Sequence, residues 1–369
     1  METPLKIGIV APPWYRIPPD GYGGIERVCY YLARGLAENG HDVTLVGAGS
    51  GDAGTTFIPT YPEPASENGK IGDPMPEVVH AAKSSQALAE LDLDLIHDHS
   101  LAGPLTARGP GPPTLVTAHG PVSGEFGAYF RALADDVGIV AISDSQRRSA
   151  PDLPWVATIH NALDVNGYPF TQEKQDYVAF VGRMSPDKGV AGAIDAARAA
   201  GRRLVLAAKC SEEAERAYFE AEIRPRLGDD VELIEDADAE RTNEILLHAR
   251  CTVFPIQWRE PFGMVMIESM VCGTPVVALR NGSVPEVIED GVTGFVRDDP
   301  DELADAIERA HTLDPRACRD RVAKLFDVPV MVSRYEDAYR RTLEATRTAR
   351  RPSRSAPDPR PPSVPKRPA

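Results

Sequence analysis

Two glutamates, Glu260 and Glu268, stand with seven residues between them in the stretch Trp258-Arg259-Glu260-Pro261-Phe262-Gly263-Met264, which runs on into an apolar segment closed by Gly273. The order of residue types predicts a strand end, a tight turn, a helix and a second strand. Pro261 suits a first helical position, because the N–H it lacks has no helical partner there, and Glu260 sits where an N-cap or loop carboxylate belongs. Gly263 lets a ligand approach the backbone closely. Val265, Met266, Ile267, Met270 and Val271 cover too wide an arc for a surface helix, so this helix is expected to pack on a buried sheet. Glu268 is then an acid on a largely apolar helix, which is costly unless something satisfies it. The residues alone leave two readings open: a glutamate salt-bridged in the core, or one that holds a ligand.

Cations and glycines supply the complementary chemistry. Gly182-Arg183 and Lys188-Gly189 flank a turn between a short apolar strand and a helix expected from Val190. Two cations there would neutralise a departing diphosphate without a metal, although solvation is the ordinary fate of a loop Arg or Lys. Gly21-Tyr22-Gly23-Gly24 lies at another strand-to-helix turn, where open backbone N–H groups and the helix dipole make an anion site. His119 ends the strand expected over 114–118, and His99 ends an earlier one. The carboxyl end of a parallel strand is where open α/β sheets place ligands, and a structural hydrogen bond is the rival reading for each. His97, Asp98 and His99 imitate a metal set. Neighbours along a strand point to opposite faces, so no metal is assigned.

The Glu-x7-Glu stretch with Pro-Phe-Gly after its first glutamate resembles the signature of the retaining family 4 glycosyltransferases. Further segments carry the resemblance to about Leu343: Gly23-Gly24-Ile25-Glu26-Arg27, Gly182-Arg183 with Lys188 and Gly189, and His160-Asn161-Ala162-Leu163-Asp164, in which Ala162 replaces the family's usual glycine. The resemblance implies a GT-B fold, with two Rossmann-like doubly wound domains facing each other across a cleft. It implies that Glu260 binds donor-sugar hydroxyls, that Glu268 binds the nucleotide ribose, and that Arg183 and Lys188 bind the donor phosphates. Gly23 and Gly24 would lie against the diphosphate, with Gly24 also facing the acceptor, and the place of His99 at its strand's carboxyl end makes it an acceptor-side contact. Phe262, Gly263 and Met264 would complete the donor site, and His119 would contact the donor sugar. The implied reaction transfers a hexosyl unit from a nucleotide diphosphate sugar, UDP-glucose being the first choice over GDP-mannose and UDP-N-acetylglucosamine, to an acceptor hydroxyl. Retention and no metal or cofactor are expected. Glu235 stands where the family commonly has a glycine near the base. Asp92-Leu93-Asp94 imitates the metal motif of another glycosyltransferase class, but it precedes its strand and is read as chance. The alternatives are a nucleotide-sugar epimerase of the same fold and a non-catalytic sugar-nucleotide-binding protein.

The elements that position these residues alternate strand and helix twice, as α/β units do. The expected organisation is an acceptor-side domain over 1–165 and a nucleotide-sugar domain over 176–328. A helix over 329–346 crosses back to the first domain, and a disordered, basic, Pro-rich tail covers 347–369. The first helix, expected over 25–38, offers Arg27 and Arg34 offset by Glu26 and Glu38, which does not encode membrane docking. The segment 50–77 reads as loop-rich with no legible role. Asp290-Gly291 with Thr293-Gly294 reads as a hairpin-like turn.

The 369-residue chain is long enough for two domains and carries a net charge of −15, which argues against a nucleic-acid partner. The tail holds seven basic residues and one acid, Asp358, so the acidity of the rest is larger still. No apolar run reaches the length of a membrane span, the N-terminus reads straight into a strand, and five scattered cysteines read as free thiols. A cytoplasmic protein is expected.

Overall fold

The computed structural model describes residues 3–350 apart from Tyr22, Asp52 and Pro110. The first sheet has seven strands: β1 (Lys6–Val10), β2 (Asp42–Ala48), β3 (Thr56–Tyr61), β4 (Leu95–Asp98), β5 (Thr114–Ala118), β6 (Val137–Ala141) and β7 (Trp155–Thr158). Its order is β3-β2-β1-β4-β5-β6-β7, with every pairing parallel. The second sheet has six: β8 (Tyr177–Arg183), β9 (Arg203–Lys209), β10 (Val231–Glu235), β11 (Cys251–Phe254), β12 (Val276–Leu279) and β13 (Gly294–Arg297). Its order is β10-β9-β8-β11-β12-β13, again parallel throughout. Central strands such as β1, β5 and β12 are apolar on both faces because helices cover both sides. In each sheet the order reverses beside the first strand, which opens a crevice at the carboxyl ends of β1 and β4 in one and of β8 and β11 in the other. The expected α/β, GT-B architecture is the one observed.

Helices α1 (Gly24–Glu38), α2 (Pro74–Ala89), α3 (Gly124–Leu133) and α4 (Asp144–Ser149) flank the first sheet. The second carries α5 (Val190–Ala199), α6 (Glu213–Tyr218), α7 (Ala239–His248), α8 (Met264–Val271), α9 (Val284–Val287), α10 (Leu303–Arg309) and α11 (Pro315–Leu325). The chain crosses between sheets through the segment after β7 and returns beside it, where Leu163 donates its N–H to Phe326 O at 3.0 Å and Val328 donates to Leu163 O at 3.2 Å. The returning chain forms α12 (Val328–Arg350), whose Met331, Val332, Tyr335, Ala338 and Tyr339 are buried in one cluster with Leu32, Leu36 and the first sheet. Gly35 permits this contact, since a Cβ there would come within 2.5 Å of Val332.

Several expectations change. The segment 50–77 holds the edge strand β3, a 3₁₀ turn and the start of α2. Pro59 and the short polar interruptions hid that strand, and a proline is tolerated there because the strand is at the edge. Asp73 caps α2 through Met75 N at 2.9 Å, with Pro74 at the first helical position. Helix α8 starts three residues later than expected: Gly263, in the left-handed region at φ 79°, is its N-cap, so Pro261 is not a first helical residue and Glu260 is not a cap. Gly273, at φ 82°, does end it. The Asp290–Gly294 turn feeds β13, which is parallel to β12, so no hairpin forms. Helix α12 extends through Arg350, so the tail begins later than 347, and residues 351–369 lie outside the described part. Among the described residues no helix is long and apolar enough to cross a membrane, and all five cysteines are free.

Tyr339 is fully buried and its hydroxyl bonds His97 Nδ1 at 2.8 Å, so truncation leaves both a cavity and an unpaired imidazole. Tyr339→Ala is expected to lower stability by about 3 kcal/mol or more, read as a lower urea midpoint. An unchanged midpoint would mean that α12 does not dock on the first sheet.

Candidate active site

The two crevices face each other, and glycines line the narrowest approach. Gly24 opens α1, and a Cβ on it would lie 3.8 Å from Met264 Cγ at the start of α8, so the two helix starts meet across the cleft. Gly23, at φ 142°, has no room for a side chain, since a Cβ would stand 2.8 Å from Pro19. Gly282 packs on the backbone of Glu260, where a Cβ would come within 2.1 Å of its carbonyl oxygen. These close approaches bring the loops carrying the candidate residues together.

Lys188 and Glu260 form the centre of the second-domain side. Lys188 Nζ donates to Glu260 Oε2 at 2.6 Å, Trp258 Nε1 donates to the same oxygen at 2.9 Å, and the Lys188 ammonium lies 5.2 Å from the Trp258 ring centroid. Gly189, at φ 75°, makes the turn that aims Lys188, and a Cβ there would collide with Pro255 O. Arg183 is the last residue of β8, not a loop residue. Its Nη1 reaches Glu215 Oε1 at 3.3 Å and Glu212 Oε1 at 3.4 Å, so acids at the start of α6 hold it. The structure therefore joins Lys188 to Glu260 and gives Arg183 different partners.

Phe262 requires a correction. The residue is 1% exposed, its ring packs on His160 and Phe326, and its carbonyl accepts from Ser283 Oγ at 2.8 Å, so in this structure it belongs to the core. Glu268 acquires a partner that the sequence reading treated as a surface cation: Arg27 Nη1 meets Glu268 Oε1 at 3.4 Å across the cleft, while Arg27 Nη2 donates to Gly21 O at 2.6 Å. Burial raises the Glu268 pKa, and Arg27 offsets part of that rise. Glu26, far from offsetting Arg27 at the surface, is buried with its Oε1 accepting Tyr15 N at 3.1 Å; burial pushes its pKa to about 8, so it is held largely as the neutral acid.

On the first domain, His119 is half-buried at the end of β5, and its Nε2 is 2.8 Å from His99 Nδ1. His99 is buried, with Nε2 3.3 Å from His97 Nδ1, so both its ring nitrogens are occupied. This corrects its assignment as an acceptor contact: His99 stands behind His119 and orients it. His97 is in turn held by Tyr339 on α12 and by Thr117 Oγ1 at 2.8 Å. Burial lowers the pKa of all three rings, that of His119 to about 3. The chain is thus neutral at ordinary pH. Among the described residues no group of three or more His, Cys, Asp or Glu could hold a metal ion.

The seam between domains is held by a residue of α9, a short helix in a stretch that reads as a loop in the sequence. Glu286 follows β12, and its carboxylate accepts from Ser145 N at 2.6 Å and Asp144 N at 2.8 Å at the start of α4, with Arg148 and His160 Nε2 each at 3.3 Å. Burial acts to raise its pKa, but His160 and the two N–H donors outweigh it and hold the carboxyl below its ordinary range. Ser143 caps α4 as expected, through Gln146 N at 3.1 Å, and Gln146 Nε2 then bonds the carbonyls of Ala118 and Gly120 beside His119.

Residues 22–167 match the model of Glycosyltransferase Family 4, and residues 169–323 match that of Glycosyl transferases group 1. The chain is 28% identical over 389 aligned positions to the alpha-maltose-1-phosphate synthase of Mycobacterium tuberculosis, covering 88% of this chain and 97% of that protein. It is 46% identical to the D-inositol 3-phosphate glycosyltransferase of Thermobifida fusca over 70 residues, which span only 16% of that protein. Among solved structures, a glycosyltransferase involved in avilamycin A biosynthesis matches with a TM-score of 0.72 at 29% identity, over 92% of this chain and 98% of that one.

The neutral histidine chain has a pH signature. His119 has a folded pKa of about 3 against the ordinary 6.5, so below 6.5 the unfolded chain takes up a proton that the folded chain refuses. Its contribution to stability therefore falls as pH drops from 6.5 towards 3. Ring-proton NMR should show the His119 signal unmoved from pH 8 to about 5; titration near 6.5 would show that the ring is solvated and detached from His99.

Proposed function

Because the chain belongs to the family 4 glycosyltransferases of GT-B fold, we propose that it transfers a hexosyl unit from a nucleotide diphosphate sugar, UDP-glucose first, to an acceptor hydroxyl with retention and without a metal. The observation that carries this reading is the Lys188–Glu260–Trp258 cluster set against Gly263 at the start of α8, with Gly24 facing it across the cleft. Glu260 has one oxygen committed to Lys188 and Trp258, and its other oxygen is the acceptor for donor-sugar hydroxyls. Arg183 stands at the carboxyl end of β8 and Lys188 in the turn after it, and together with the α8 N-terminus they stabilise the charge that grows on the departing diphosphate.

The remaining roles follow the same division. Gly23, Gly24, Gly263 and Met264 offer backbone to the diphosphate, and Glu268 takes the ribose hydroxyls, with Arg27 holding it in place. Neutral His119 contacts the donor sugar near the attacked carbon. The reaction proceeds by attack on the face from which the phosphate leaves, with that phosphate accepting the acceptor's proton. The free thiols support a reducing, cytoplasmic setting.

Two measurements test this. Thermal stabilisation by a panel of UDP-, GDP- and ADP-sugars, with and without EDTA, should single out one nucleotide sugar and be indifferent to the chelator, since a ligand that binds only the folded state raises its stability. Incubation with donor alone should give slow hydrolysis; isomerised donor would mean an epimerase, and unchanged donor that binds would mean a sensor. Lys188→Met and Arg183→Gln should each lower turnover by about 10²- to 10³-fold with a smaller rise in donor KM. Loss of donor binding with unchanged turnover would remove both cations from this role.

A further inference from the structure

Beside the donor site, the seam between the domains opens into a crevice of about 340 Å³ lined by Ser145 and Arg148 of the first domain and Arg259, Arg280, Asn281 and Gly282 of the second. Three guanidinium groups meet there in a chain whose net charge is −15. Glu286 reaches Arg148 at 3.3 Å but is already engaged by two backbone N–H groups and His160, and Arg280 pairs with the largely exposed Asp298 at 2.8 Å and also borders a neighbouring hollow that holds Asp290, Asp301, Glu302 and Asp305. Arg259 donates to a neutral group, Ser149 Oγ, at 2.8 Å. Asn281 is fixed by donating to Ile256 O at 3.3 Å. Among the described residues the crevice lining itself thus holds three arginines and no acid.

Its position gives that charge a use. Arg259 is the residue before Glu260, Ser283 donates its N–H to Glu260 O at 2.9 Å, and Gly282 rests on the Glu260 backbone. On the opposite wall, α4 carries Ser145 and Arg148, and its Gln146 holds the carbonyls beside His119. A group seated in the crevice therefore stands next to both Glu260 and the His119 loop, and neither Arg183, Glu268 nor Arg27 lines it.

We infer that this crevice binds a phosphate monoester carried by the acceptor, clamped between Arg148 of one domain and Arg259 and Arg280 of the other. This rests on the glycosyl-transfer reading above. A phosphate dianion presents three oxygens to three planar, forked donors, a match that a neutral hydroxyl compound cannot offer. Because the arginines come from both domains, such an acceptor also bridges the seam beside Glu286, so an acceptor without the phosphate forfeits affinity and alignment together.

The experiment is calorimetric titration of the full chain, in phosphate-free buffer, with glucose 6-phosphate, glucose and inorganic phosphate. Wild type is compared with Arg148→Gln, Arg259→Gln and Arg280→Gln, with Arg203→Gln, an exposed arginine paired to Glu232, as the control. The sugar phosphate should bind at least about tenfold more tightly than glucose, and each crevice variant should weaken it by about tenfold or more while Arg203→Gln leaves it unchanged. UDP affinity, measured in parallel, should be the same in all four variants. Equal binding of glucose and its phosphate, or no effect of the crevice variants, would overturn the assignment. So would loss of binding in Arg183→Gln, titrated beside these variants, with none in the crevice variants, which would place the anion in the donor phosphate site. Inorganic phosphate that binds as tightly as the sugar phosphate would show a free-anion site and overturn the acceptor assignment. Failure of the transfer reading itself appears separately, as absence of UDP binding in wild type.

Discussion

Glu286 stands on the second domain, yet every hydrogen-bond donor that its carboxylate meets lies in residues 144–160. A half-buried carboxylate is costly to leave unsatisfied, so the seam is most favourable where the α4 N–H groups and His160 can all reach it. That requirement fixes α4 against α9, and through Gln146 it fixes the His119 loop as well. Arg27 and Glu268 repeat the arrangement on the other side of the cleft, again one charge from each domain. Charged groups whose partners lie across the seam thus help to set the separation of the two crevices, beside apolar contacts that also cross it, Ile142 packing into the second domain's cluster and Met264 against the first domain's.

The candidate chemistry depends on that separation. Gly24 and Met264 line one gap, with room for no more than a methyl group at the start of α1 before Met264 is reached. Lys188 and Glu260 are matched within the second domain, so their pairing survives small movements of the seam, while the contribution of His119 does not. In the reaction proposed above, cations on one domain and a neutral imidazole on the other reach the same sugar only when the seam is closed.

The histidine chain shows how a distant element shapes the site. His119 is oriented by His99, His99 by His97, and His97 by Tyr339 on the closing helix and by Thr117. Burial keeps these rings neutral, so they transmit orientation and not charge. Helix α12, which comes from the end of the second domain, therefore supports a residue at the mouth of the first.

The sequence by itself determined the two runs of alternating strand and helix, the turns at Gly23-Gly24, Lys188-Gly189 and Phe262-Gly263, and the family to which their residues belong. These are local facts: parallel strands announce themselves by continuous apolar runs, and glycines by the turns that need them. It misread what local pattern does not carry. The edge strand β3 was hidden by Pro59, the start of α8 was displaced from Pro261 to Gly263, and Phe262 and His99 were given to ligands although packing claims them. Only the tertiary structure decided the partners of Glu268, Glu286 and His97. Arg27 is 241 residues from Glu268, Asp144 is 142 from Glu286, and Tyr339 is 242 from His97. No periodicity links residues at such separations; what pairs them is the docking of two cores, which leaves each buried charge or ring only the donors that the opposite surface presents.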